Sequence, residues 1–251
     1  MTNKRYCAVV TGASRGIGRA IAERLLQDGL EVIVTGTKKD AEHPIGSDYY
    51  QVDFLNDLST KAFVKYLKQK PIDILINNAG INKINEFESI EIDEFEKIQK
   101  INLNAPFLLC QAVIPHMKKN NWGRIVNITS CAGLENSGPV TYTVSKAALT
   151  AYTRTMGRIL ATEAKDVVMT AIFPGVVVTK GGHWDKVLKK NPARAKKYLK
   201  DRAPLGRFGK PNEIAPVVAF YCSEFASFSH GAIIPVDAGQ SRHYMYFNYL
   251  N

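Results

Sequence analysis

The chain has 251 residues, 45% of them apolar, and carries 33 Lys or Arg against 23 Asp or Glu, a net charge of +10. That length can bury a sizeable core, and that apolar share excludes a disordered chain. No run approaches the roughly eighteen apolar residues of a membrane span, and the four cysteines (7, 110, 131, 222) and five histidines are too scattered for a disulfide frame or a metal site. Unpaired cysteines suit a reducing cytoplasm, and the opening residues run into a strand-like segment without a signal-peptide pattern.

Residues 6–10 read as a buried strand. Thr11-Gly12-Ala13-Ser14-Arg15-Gly16-Ile17-Gly18 follows, and then Ile17, Ile21, Ala22, Leu25 and Leu26 fall at helical spacing. A strand feeding a glycine-rich turn that opens a helix is a setting for a dinucleotide. Gly12 permits a tight turn, Gly16 lets the backbone approach a pyrophosphate, and Gly18 allows close helix packing. The helix start adds unpaired N–H groups and the positive end of the dipole. The spacing is G-x-x-x-G-x-G, so its weight rests on the strand and helix that flank it.

The second strand, 31–36, ends at Gly36, where a site for NAD usually carries an acid for the ribose 2′-hydroxyl. Here Thr37-Lys38-Lys39 follow, and these cations with Arg15 suit a 2′-phosphate, so NADP(H) is the expected cofactor. Two merely exposed lysines are the alternative, which leaves the missing acid unexplained. Residues 49–52 form a third strand, then Asp53, placed at an adenine edge, and Phe54. Residues 58–69 have helical spacing with Leu58, Phe63 and Leu67 inward. A fourth strand, 73–76, closes on Asn77-Asn78-Ala79-Gly80, small residues against which a flat ligand can lie. A long helical region, 91–118, holds Asn102 in a core-like run of Ile98, Ile101, Leu103, Phe107 and Leu108. Periodicity alone reads this asparagine as a hydrogen-bonded core residue.

A fifth strand, 124–129, leads to Ser130, and a helix follows in which Tyr142 and Lys146, four residues apart, share a face. A free tyrosine titrates near pH 10, and an ammonium about 4–6 Å away favours its phenolate. A loop returning the Ser130 hydroxyl to Tyr142 would let these groups hold a carbonyl or carbinol oxygen and pass it a proton. A solvated i,i+4 pair is the plain alternative. The sixth strand, 167–173, runs into Pro174-Gly175-Val176-Val177-Val178-Thr179.

Between Lys180 and Lys210 there are eleven Lys or Arg and two acids, +9 in that span, so the rest of the chain is nearly neutral. Two short helices are predicted there, from Trp184, Val187 and Leu188 and from Ala195, Tyr198 and Leu199, with Asn191 as cap and Pro192 in the first turn between them. Such helices read as a mobile substrate cover at about 180–210. Their charge is either a solvated face or a surface for an anionic carrier, and a nucleic-acid role lacks interleaved aromatics. Pro211 starts another helix, and 232–236 is a last strand. The aromatic tail, 241–251, is expected to pack on this subunit or a neighbour. Alternating strands and helices predict one α/β domain over 1–251, a Rossmann-type doubly wound, mainly parallel seven-stranded sheet with helices on both faces.

Taken together, residues 11–18, Asp53, residues 77–80, Asn102, Ser130, Tyr142 with Lys146, and Pro174-Gly175 with Thr179 resemble the short-chain dehydrogenase/reductase family over essentially the whole chain. Within it, residues 204–215 and Val236-Asp237-Ala238-Gly239-Gln240 are similar to 3-oxoacyl-acyl-carrier-protein reductases, a branch shared with sugar, polyol and other ketone reductases. The resemblance implies a catalytic group of Asn102, Ser130, Tyr142 and Lys146. Asn102 would hold a relay water through its side chain or backbone, Ser130 would bond the substrate oxygen, and Tyr142 would deliver the proton. Lys146 would lower the tyrosine pKa and bind the nicotinamide ribose. NADP(H) would be held by Gly12, Ser14, Arg15, Gly16, Ile17, Gly18, Thr37, Lys38, Asp53, Phe54, Asn78, Ala79, Gly80, Tyr142, Lys146, Pro174, Gly175, Val177 and Thr179. The implied substrate is a ketone, such as a 3-oxoacyl thioester on acyl-carrier protein or coenzyme A, and the implied assembly a homotetramer.

Three departures stand out. Ser130 to Tyr142 is one residue shorter than the commonest family spacing, which makes Thr129 a rival for the serine role. Thr170 stands where relatives usually have Asn, and the tail extends past the usual end. Two other functions fit the same motifs: turnover of a sugar, polyol or other secondary alcohol, and NADP(H) sensing by a regulatory protein. A missing Tyr142 or Lys146 would have favoured the sensor, and both are present.

Overall fold

The structure is a computed structural model that describes residues 5–135 and 137–241; the tail over 242–251, and the packing expected of it, lie outside the described residues. Seven strands, β1 (Cys7–Val10), β2 (Glu31–Gly36), β3 (Asp48–Gln51), β4 (Ile74–Asn77), β5 (Gly123–Ile128), β6 (Val167–Pro174) and β7 (Ile233–Val236), form one sheet. Every pairing is parallel, in the order β3-β2-β1-β4-β5-β6-β7. β5 and β6 are buried at every position, as strands covered on both faces must be, whereas the outer β3 and β7 are half-buried.

Nine helices complete the described fold: α1 (Gly16–Gln27), α2 (Asp57–Lys68), α3 (Ile92–Gln99), α4 (Ala105–Lys119), α5 (Ala132–Glu135), α6 (Val140–Glu163), α7 (His183–Lys190), α8 (Pro192–Arg202) and α9 (Pro211–Tyr221). Side chains alternate along each strand and feed two cores. Val9 and Leu75 join Phe63, Leu109 and Leu160 on one face, while Val10 and Ile76 join Ile21, Leu25, Ile214 and Val218 on the other. Asn191 caps α8, accepting the Arg194 N–H at 3.0 Å, and Pro192 opens the helix as its spacing predicts.

Three sequence expectations need correction. Leu58 is 77% exposed, because five residues separate it from Phe63, about 140° around α2, while Leu67 at four residues stays inward. The region 91–118 is not one helix: α3 passes through a π-helical turn, Lys100–Asn104, before α4 begins. The wider turn rotates everything beyond it, so Ile98 and Ile101 are buried but Phe107 (44%) and Leu108 (37%) face outward. The charge within β5 is also deeper than its pattern suggests. Arg124 is fully buried and donates to the Gly123, Asp166 and Ser223 carbonyls at 2.7–2.9 Å and to the Asp166 carboxylate at 2.8 Å. It ties the ends of β5, β6 and α9 together on the side of the sheet away from the strands' carboxyl ends.

Strand order reverses between β1 and β4. The crevice beyond their carboxyl ends is where open α/β sheets bind ligands. Among the described residues no helix is long and apolar enough to cross a membrane.

Candidate active site

The glycine turn leaves β1 at that crevice. Gly12 and Gly16 both have φ of +63°, and a Cβ on Gly12 would stand 2.9 Å from the Ala79 Cα, so only glycine lets the turn touch the end of β4. The Thr11 hydroxyl oxygen accepts the N–H groups of Asn78 and Ala79, each at 3.0 Å. In return the Asn78 amide donates to the Thr11 and Gly12 carbonyls at 2.9 and 3.1 Å. Asn78 therefore fastens the turn with its side chain. Gly18 is buried behind the lining, where a Cβ would meet the Asn78 amide nitrogen at 2.4 Å. The first turn of α1 has no side-chain cap, which leaves its amides for an anion.

At the far end, Gly36 packs under Tyr49, whose hydroxyl oxygen would lie 2.8 Å from a Cβ there. No acid fits at that position. Tyr49 donates to the Lys38 carbonyl, and Gln51 donates to the Thr37 carbonyl at 3.1 Å. Ser14, Arg15, Ile17 and Thr37 line the cleft, but Lys38 is exposed and outside its lining.

The cleft, of about 720 Å³, continues past Asp53, Phe54, Ala79 and Gly80 to Pro174, Gly175, Val177 and Thr179. Asp53 accepts the Leu55 N–H at 2.9 Å through one carboxylate oxygen. Val177 forms an isolated parallel bridge with Gly209, which bonds the Val176 carbonyl (2.9 Å) and the Val178 N–H (3.0 Å). In that geometry the N–H and C=O of Val177 itself face away from Gly209, a donor and acceptor side by side that match a carboxamide. Close glycine contacts, open helix amides and an Arg where an acid is missing fit an NADP-type dinucleotide.

Tyr142 and Lys146 lie on α6, with the Lys146 Nζ 5.7 Å from the centre of the Tyr142 ring. Nζ donates to the Ile128 carbonyl at 2.8 Å. Burial pulls Lys146 down to about 8 and pushes Tyr142 up to about 12, and a hydrogen bond from Ser130 lowers the phenol only in part. This corrects the expectation that the ammonium lowers the phenol: desolvation outweighs it, and the phenol holds its proton. Ser130 is the hydroxyl beside Tyr142, because Thr129 is buried and spends its own on the Ile172 carbonyl at 3.2 Å.

Asn102 sits in the π-helical turn, fully buried and behind the cleft lining. Its amide accepts the Ile81 N–H (2.9 Å) and donates to the Ile81 carbonyl (3.0 Å) and the Ser145 hydroxyl (2.9 Å). Ser145 in turn donates to the Tyr142 carbonyl at 2.7 Å. The side chain is thus used up in joining the loop after β4 to the helix of Tyr142. Its backbone carbonyl is different, since Pro106, four residues on, has no N–H to give it.

A family model described as enoyl-(acyl carrier protein) reductase matches residues 12–241. The chain belongs to the short-chain dehydrogenase/reductase family. Among members of that family, the 3-oxoacyl-[acyl-carrier-protein] reductase of Aquifex aeolicus is 39% identical over 245 residues, 92% of this chain and 96% of the relative. The enzyme of the same description from Pseudomonas aeruginosa is 35% identical over the same shares. Among solved structures, a 3-oxoacyl (acyl-carrier-protein) reductase from Agrobacterium tumefaciens with NADP bound superposes with a TM-score of 0.85 at 27% identity, covering 93% of each chain.

Sequence reasoning passed over Ser145, the Ile128 carbonyl and the residues Trp184, Tyr198 and Gln240 that also line the cleft. Ser145 had a signal, three residues after Tyr142 on the same helix face. The Ile128 carbonyl had none, because a backbone group carries no residue type.

Proposed function

We propose that the chain is an NADPH-dependent reductase of a 3-oxoacyl thioester, with Asn102, Ser130, Tyr142 and Lys146 as its catalytic group. One observation carries the reading: a protonated phenol and a serine hydroxyl stand together beneath a dinucleotide-shaped cleft, beside a buried lysine. NADPH, when bound, supplies the hydride. Ser130 donates a hydrogen bond to the carbonyl oxygen, and Tyr142 gives that oxygen its proton as negative charge develops. Lys146 holds the nicotinamide ribose and, while charged, stabilises the phenolate left behind. The Asn102 backbone carbonyl holds a water that returns a proton through Lys146, while its side chain positions the helix. The relatives named 3-oxoacyl-[acyl-carrier-protein] reductase, and the solved one with NADP, support the substrate and cofactor.

The cofactor lies with its 2′-phosphate toward Arg15 and Thr37, its pyrophosphate on the α1 amides, and its carboxamide on the Val177 backbone. α7 and α8 act as a cover within a single domain, and their basic outer face meets an acidic carrier. Both acids there are already taken, Asp185 by Lys189 and Asp201 by Lys197, each at 2.8 Å. The apolar surface of α4 and α6, with Phe107, Leu108, Val144 and Ile159 each 37–44% exposed, supports burial against a second copy in a homotetramer. Four free cysteines, three of them buried, suit a cytoplasmic protein. The test is kcat/KM with acetoacetyl carrier protein, acetoacetyl coenzyme A and a keto-sugar: the thioesters should lead by at least about tenfold, and a preferred keto-sugar would sink the substrate class.

A further inference from the structure

Trp184, Tyr198 and Gln240 take no part in the proton chemistry, yet all three line the cleft that contains Ser130 and Tyr142. Trp184, in the first turn of α7, packs its indole against Tyr198 of α8, with ring centres 4.1 Å apart. It also meets Phe208, a buried ring 5.1 Å away. The Tyr198 hydroxyl accepts a hydrogen bond from the Gln240 amide at 2.9 Å, and the Gln240 oxygen accepts the Val176 N–H at 2.7 Å. Gly175 leaves room for that oxygen, since a Cβ there would stand 2.9 Å from it. One glutamine thus ties the second cover helix to the strand end that floors the cleft. The indole is backed by two rings, one of them pinned, and cannot swing aside without breaking these contacts. Burial and then the nearby Cys131 raise the Tyr198 phenol, which brings this wall close to the residue after Ser130.

We propose that the braced Trp184–Tyr198 wall sets substrate specificity, limiting the group beyond the reacting carbonyl to a short chain. The inference rests on the reductase reading above and names the size class of its substrate. Small residues, Cys131, Ala132 and Gly138, also line this cleft, so removal of the indole opens space. A pocket distinguishes substrates by roughly 10–200-fold per methylene, which makes chain length a sensitive readout.

The test is kcat/KM for acetoacetyl and 3-oxooctanoyl thioesters, and in parallel for 2-butanone and 2-octanone, with the unaltered protein and with Trp184→Ala. The unaltered protein should favour the short member of each pair. Trp184→Ala should raise the long-to-short ratio by about tenfold or more. Trp184→Phe, which keeps a ring against Tyr198 and guards against misfolding, should raise it by less. Ratios within about twofold of the unaltered protein for both variants, in both series, would overturn the wall. Failure of both thioesters, with the shift preserved for the ketones, would count against the thioester reading and leave the wall standing.

Discussion

The Lys146 ammonium stands 5.7 Å from the centre of the Tyr142 ring, one helical turn on, and is anchored by the Ile128 carbonyl at 2.8 Å. The pair is built to keep a proton on the phenol until a substrate oxygen takes it. Tyr142→Phe should therefore lower kcat by roughly 10²–10⁴-fold while the Kd for NADPH stays within about twofold. Kinetics and a fluorescence titration check both halves, and a Phe variant with near-normal turnover would remove Tyr142 from the mechanism.

The pH profile follows from Lys146 at about 8 and Tyr142 at about 12. Reduction needs both groups protonated, so kcat/KM should be level below about pH 8 and fall about tenfold per unit above it. The linkage has the opposite sign for lysine stability. Its folded pKa is lowered, so the unfolded chain binds more protons between about 8 and 10.5, and the cost of burying Lys146 is relieved as pH rises through that window. A profile still level at pH 10 would contradict the assignment.

Cofactor choice rests on Arg15 and on the space that Tyr49 fills above Gly36. NADPH should bind at least about tenfold more tightly than NADH, and Arg15→Ala should weaken NADPH alone by about the same factor. Calorimetric titration of both cofactors measures this. Equal affinities in the unaltered protein would end the reading.

Much of this was legible in the sequence, and the failures have physical causes. Buried parallel strands read as continuous apolar runs, so all seven strands and the glycine turn were visible, as were Tyr142 and Lys146 on one helix face. Phe107 and Leu108 were misassigned because the π-helical turn at Lys100–Asn104 breaks the helical phase, which periodicity assumes constant. Asn102 looked like a core residue and is one, but its partners, Ile81 and Ser145, lie 21 and 43 residues away. Lys38 looked equivalent to Arg15, and only the fold shows that it lies outside the cleft lining. The pKa of Tyr142 was misjudged because proximity to a lysine is visible in sequence, whereas desolvation is not.

The basic cover yields a prediction that separates docking from a solvated face. Lys196→Glu with Lys200→Glu should raise KM several-fold for acetoacetyl carrier protein and leave acetoacetyl coenzyme A and small ketones within about twofold. Rates with the carrier should also fall between low and moderate salt, since steering by a one-signed surface is screened. Equal responses from all substrates would mean that the charge serves solvation only.

The most direct test of the central claim offers the protein, with NADPH, an acetoacetyl and a crotonyl thioester of the same carrier and identifies the products. Ser130 and Tyr142 stand together to hold and protonate an oxygen that becomes an alcohol, which an isolated carbon–carbon double bond does not require. The account predicts one 3-hydroxybutyryl thioester per NADPH consumed, with turnover of the crotonyl thioester at least about 100-fold slower, within the range such a proton donor contributes. Butyryl thioester formed from the crotonyl substrate at the faster rate, or NADPH consumption without a 3-hydroxyacyl product, would contradict it.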